Sequence, residues 1–238
     1  KYIVLHTHLA ENTGLLRHIV LASDGLAEIR NSEKDKGFLH KRQETIFSYK
    51  DRFLICVHGG GYIKNRPYSY FIRQVFATLL SVDFNSTEDF AMLFKDTFYR
   101  LVGNEENVSF YIAGMDMNES LCPSPSLFLL DKNVVSLINR GLNNDIVYNY
   151  HSIGRCLWIN KMLLHTSCEI DKGQKVEFES VDIDFSKYSI SDAIDFSKTL
   201  LTISFKMDAI SQLSQMVGEY VSVGYVTIFD KLKIKGLC

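Results

Sequence analysis

The chain has 238 residues, enough for one large domain with a sizeable core. An apolar fraction of 46% and a charged fraction of 23% are those of an ordinary globular protein and argue against disorder. A net charge of −2 without a long Lys/Arg cluster gives no electrostatic case for nucleic acid, and no apolar run reaches the length of a membrane span.

In chain order, Tyr2 to Leu9 alternates as a strand. Glu11-Asn12-Thr13-Gly14 is turn chemistry, from which Leu15 to Ala22 returns as the hairpin partner until Ser23-Asp24-Gly25 stops it. Asn31 to Lys36 is polar without periodicity and is expected to be a loop. Thr45 to Phe47 and Phe53 to Val57 form a second hairpin about Tyr49-Lys50-Asp51-Arg52, and Gly59-Gly60-Gly61 then turns the chain into a helix. Tyr68, Phe71, Ile72, Val75, Phe76 and Leu79 recur at helical spacing, which sets that helix from about Pro67 to Leu80.

Asn85-Ser86-Thr87-Glu88-Asp89 is a helix start, with Phe90, Leu93, Phe94, Thr97, Phe98 and Leu101 as the apolar face and Gly103 as the stop. Val108 to Ala113, Ser126 to Leu130 and Val134 to Ile138 read as strands. Gly154 to Leu164, with the only tryptophan, Trp158, reads as a short helix. Ser191-Asp192 opens another, in which Ala193, Ile194, Leu200, Leu201 and Phe205 can face the core. Val221 to Phe229 and Leu232 to Ile234 close the chain as a hairpin. Strands in runs and helices in consecutive pairs give an α+β class.

Five cysteines, at 56, 122, 156, 168 and 238, are scattered and contain no CxxC pair, so no zinc site and no disulfide framework is signalled. Reduced cysteines, and a first segment without the pattern of a signal peptide, lead to the expectation of a cytoplasmic protein. No cofactor is implied.

Three groups invite a chemical reading. His6 and His8 share a strand face, and a hairpin about Asn12-Thr13 places His18 opposite, a spacing that could hold a metal. No Asp, Glu or Cys completes the set, so the favoured reading is surface or partly buried histidines on an edge hairpin, with no metal. His58-Gly-Gly-Gly is reminiscent of an oxyanion-hole turn, but no G-x-S-x-G accompanies it.

Taken together, RHIVLASDG, a polar connection, the ETIFSYKDRFLICVHGGG hairpin, FYIAGMD, SPSLFLLD, YHSIGR, the helix near Ser191 and VSVGYVTIFD follow one another in a familiar order. The sequence resembles the proteasome β-type peptidases of the N-terminal-nucleophile (Ntn) hydrolase superfamily, and the resemblance spans most of the chain. It implies a four-layer αββα sandwich over a single domain, 1–238, with Glu169 to Lys187 as a possible insertion. It also implies that the chain assembles with copies of itself.

Such peptidases use the side chain of a first-residue Thr, Ser or Cys as nucleophile and its α-amine as base, because an α-amine titrates near neutrality. By the resemblance, Asp24 matches the Asp that ends the second strand, and Asp208 and Ser211 match the Asp-x-x-Ser that supports the nucleophile. Thr45 falls where the catalytic Lys belongs, and Ile153 falls at the Ser of a Gly-Ser-Gly turn. The sequence starts Lys1-Tyr2. The expectation is therefore a non-catalytic scaffold homologue in which Lys1 to His6 are retained. The alternative is an active peptidase or amidohydrolase, taking peptides or small amides, in which Thr7, seventeen residues before Asp24, is exposed by processing. Asp24 and Asp208 can equally be strand-end and helix-end residues that bond local backbone.

Overall fold

The structure is a computed structural model that describes residues 3–9, 17–24, 26–30, 38–59, 61–103, 108–117, 122–142, 146–147, 150–153, 167–171, 174–177, 183–210, 221–227 and 233–237. Its centre is β2 (Arg17–Asp24), whose residues His18 to Asp24 are all buried. It lies between β1 (Ile3–Leu9) and β15 (Val221–Thr227). With β12 (Tyr150–Ile153) beyond β1, and β16 (Lys233–Leu237) beyond β15, these make a five-stranded antiparallel sheet in the order β12-β1-β2-β15-β16.

A second antiparallel sheet runs β11-β10-β9-β6-β5, from β5 (Ile46–Tyr49), β6 (Phe53–His58), β9 (Ser109–Met117), β10 (Pro123–Leu130) and β11 (Val135–Leu137). In the three-residue β5–β6 connection the Arg52 N–H donates to the Tyr49 carbonyl at 3.1 Å, across Lys50 and Asp51 in the left-handed region at φ 50° and 49°.

Strand alternation sorts the core into three clusters. Ile19, Leu21 and Val226 of the first sheet meet Ile46, Leu54, Cys56, Tyr111, Ala113 and Leu127 of the second. Gly224 permits the approach: a Cβ there would lie 2.8 Å from Leu54 Cδ1 and 3.0 Å from Ile46 Cγ2. The other face of the first sheet, through Val20, Ala22, Val223 and Tyr225, packs on Ala193, Leu200 and Leu201 of α3 (Ile190–Ile210). The other face of the second sheet, through Phe53, Ile55, Val57, Phe110 and Ile112, packs on α1 (Tyr68–Thr78) and α2 (Thr87–Val102).

Both ends of α2 are built as the sequence suggests. Ser86 Oγ accepts the Asp89 N–H at 3.0 Å, and Gly103 closes the helix at φ 87°. The apolar face differs: Leu93 and Leu101 are exposed while Ala91 and Val102 turn inward, because the buried stripe centres on Phe90, Phe94 and Phe98. The cap of α3 is Ser189, whose hydroxyl donates to Asp192 at 2.6 Å, so the helix starts one residue before Ser191.

Other expectations change. The polar connection after β2 contains a paired ladder, β3 (Leu26–Arg30) with β4 (Phe38–Arg42), and Asn31 to Lys36 lie outside the described residues. The glycines after His58 lead first into a short ladder, β7 (Tyr62–Ile63) with β8 (Arg66–Pro67), before α1 begins. Pro67 is the residue before the first helical turn rather than within it, since it stays extended at ψ 152°. Residues 167–171 and 174–177 form a separate hairpin, β13 with β14. The helix expected over 154–164, and the turn Glu11 to Gly14, lie outside the described residues.

Tyr99, on α2, makes the stability of the fold depend on pH. Its hydroxyl donates to the Val108 carbonyl at 2.6 Å. Burial, then Asp131, then Tyr68 push its ionisation from 10.0 up to about 12. The folded state thus favours the neutral phenol. That contribution is fully present below pH 10 and is lost as the pH rises through 12. It amounts to roughly 2–3 kcal/mol. Urea unfolding between pH 9 and 12 should show a steeper loss of stability in the parent than in Tyr99→Phe; equal slopes would contradict the assignment.

Candidate active-site region

The family-matched positions are distributed along the first sheet by its registers. Ile153 is opposite Ile3, Ile3 is opposite Ser23, and Ser23 is opposite Ser222. Asp24 follows at the end of β2, opposite Val221 and completely buried, and the Ser23 hydroxyl donates to its carbonyl at 3.0 Å. One end of the sheet therefore gathers Ile153, the start of β1, Ser23 and Asp24. Ser23 was not singled out from sequence; a small polar residue ending an apolar strand was the only signal.

Thr7 is elsewhere. The ladder sets it opposite Ile19, five residues before Asp24 on β2. At about 3.3 Å per residue this is roughly 17 Å along the strand, well beyond hydrogen-bond reach. The sequence separation of seventeen does not translate into proximity, because the hairpin is centred near residue 13, with His8 opposite His18.

Asp208 falls in the last turn of α3, the helix that packs on β1 and β2, and Ser211 lies outside the described residues. Thr45, which the resemblance sets where a Lys belongs, is completely buried on the approach to β5, where its carbonyl accepts the Val57 N–H at 2.9 Å and its Oγ1 has no hydrogen-bond partner. A neutral hydroxyl there supplies no positive charge that could lower a neighbouring amine's pKa.

The histidine pairing is as the hairpin implied, but its setting is not. β1 and β2 are interior strands flanked by β12 and β15, so His18 is completely buried instead of standing on an edge. Among the described residues no group of three or more His, Cys, Asp or Glu is placed to hold a metal. No helix among them is long and apolar enough to cross a membrane.

Two segments of the resembling motifs act structurally. Asp116, ending FYIAGMD, accepts both the N–H of Thr87 at 2.7 Å and its hydroxyl at 2.8 Å, and so fixes the start of α2. The β5–β6 turn holds the α1–α2 connection: Lys50 donates to the Val82 carbonyl at 2.9 Å, and Arg52 donates to the carbonyls of Phe84 and Asn85.

No protein-family profile matches the chain, and no curated protein matches it in sequence. The structure is similar to that of Anbu (ancestral beta-subunit) from Yersinia bercovieri, with a TM-score of 0.59 and 14% identity over 99% of this chain and 86% of that one. At that identity the likeness carries the fold alone: the chain shares the fold of that ancestral beta-subunit.

Proposed function

We propose that the chain is a divergent proteasome-like protein that lacks threonine-peptidase activity and serves as an assembling scaffold, built on one four-layer αββα domain in the cytoplasm. The observation that carries this reading is the β1–β2 register, which leaves Thr7 opposite Ile19 and away from Asp24. Thr45 in place of a Lys points the same way. The layered reading is supported by the three clusters, which alternate helix, sheet, sheet, helix. The insertion reading of 169–187 is supported by the β13–β14 hairpin, which belongs to neither large sheet.

For assembly, α1 by itself offers little apolar contact surface. Tyr68 and Phe71 are buried and the Phe76 ring centroid lies 4.9 Å from that of Tyr49, so the large apolar residues left exposed are Tyr70 of α1, Leu80 after it, and Met92, Leu93 and Leu101 of α2. Apolar surface of this kind suits a symmetric contact between copies.

One preparation tests the reading. Intact mass should retain residues 1 to 6, fluorogenic peptides should not turn over, and light scattering should give a multiple of 27.3 kDa. Loss of hydroxyl, amine and Lys from one place removes a factor of roughly 10² to 10⁴ from general-base catalysis alone. A new N-terminus at Thr7, with turnover abolished by Thr7→Ala, would establish the active amidohydrolase or peptidase instead. A mass near that of one chain would reject assembly.

A further inference from the structure

At the C-terminal end of α2 is an open cleft of about 400 Å³, lined by Lys95, Asp96, Tyr99, Arg100 and Gly103 of the helix end and by Lys132 from the β10–β11 turn. Three cations and one carboxylate, Asp96, line it, and the charge of Asp131 also reaches Tyr99, so the cations stay in excess by one. Asp96 approaches Lys95 at 3.9 Å, whereas neither Arg100 nor Lys132 belongs to an ion pair among the described residues. Asp131, in the β10–β11 turn, directs its Oδ1 to the backbone, accepting the N–H groups of Asn133 and Val134 at 2.8 Å each. That Asx turn fixes the segment from which Lys132 projects.

A basic residue in the last turn of a helix offsets the dipole, and this accounts for Arg100. It does not account for Lys132, which the fold brings from a different element to the same concave surface. A guanidinium and an ammonium lining one cleft can both donate to a multiply charged oxyanion. We propose that this cleft binds a phosphate group, with Arg100 and Lys132 as its principal contacts and Lys95 as the third cation. Tyr99 stays neutral and adds no opposing charge. The proposal does not rest on the absence of peptidase activity, since none of these residues belongs to the first sheet.

The test is thermal unfolding in increasing sodium phosphate, against sodium chloride of equal ionic strength, with ADP as a second probe. A saturable rise in midpoint with phosphate is expected, weakened about tenfold in apparent affinity by Arg100→Gln and by Lys132→Gln, the loss of one charge-assisted contact each. Both are surface positions whose replacement should leave the fold intact, and Lys206→Gln on α3 should leave binding unchanged. Tighter binding of ADP than of phosphate would identify a nucleotide as the source of the group, and equal binding would identify free phosphate. A rise that does not saturate, that chloride reproduces, or that both substitutions leave untouched would overturn the proposal.

Discussion

Phe90→Ala is expected to destabilise the protein by about 3–5 kcal/mol, the range for truncating a fully buried aromatic. Phe90 is completely buried, stacks on Phe53 with ring centroids 4.2 Å apart, stacks on Tyr49 at 5.2 Å and meets Phe84 edge-on at 5.1 Å. It thus joins α2 to the β5–β6 hairpin and to the α1–α2 connection at once, so no single neighbour can move in to fill the space. For a chain of this size each kcal/mol lowers the melting temperature by roughly 2–4 °C, which puts the drop at about 6–20 °C. Phe90→Leu, keeping most of the volume, should cost less than about 1.5 kcal/mol. A Phe90→Ala loss below about 1 kcal/mol in urea unfolding would refute the central role of this stack.

Gly114→Ala should be nearly as damaging, although it adds one methyl group. The new Cβ would lie 2.3 Å from Thr87 Oγ1 and 3.1 Å from both Thr87 Cγ2 and Phe53 Cδ1. Thr87 cannot simply rotate away, because its hydroxyl and its N–H are both held by Asp116 at the start of α2. Relief therefore requires breaking that contact or shifting the helix from β9, an overpacking cost of about 2–3 kcal/mol. The cycle with Thr87→Ala gives the sharper measurement: removing the hydroxyl and methyl that clash should make Gly114→Ala markedly cheaper, a coupling of at least about 1 kcal/mol. Additive effects would mean that the glycine serves another purpose.

Both predictions rest on features that the sequence showed in part. Phe90, Phe94 and Phe98 stood out by helical spacing, and Gly114 and Asp116 stood out as members of a recurrent motif. What each does became legible only with β9 laid beside α2. A one-dimensional pattern can state that a glycine is present; the close approach that makes it necessary comes from an element 27 residues away. The same holds for Lys132, which no sequence window connects with Arg100.

Alternation and helical spacing by themselves determined nine of the ten strands of the two large sheets in outline, with α1, α2 and α3, because burial of one face imposes a period that local residues must obey. The start of α2 and its stop at Gly103 were legible from capping chemistry, and β12 stood in the sequence only as part of the YHSIGR motif. The β3–β4 ladder was not visible, since charged residues in Leu26 to Arg42 mask any alternation. Nor was the inward turn of Ala91 in place of Leu93, which depends on where the second sheet meets the helix. The relation of Thr7 to Asp24 was decided by tertiary structure alone. Seventeen residues of chain are compatible with many separations, and only the ladder, fixed by hydrogen bonds that pair His8 with His18, sets Thr7 five residues from the position beside Asp24.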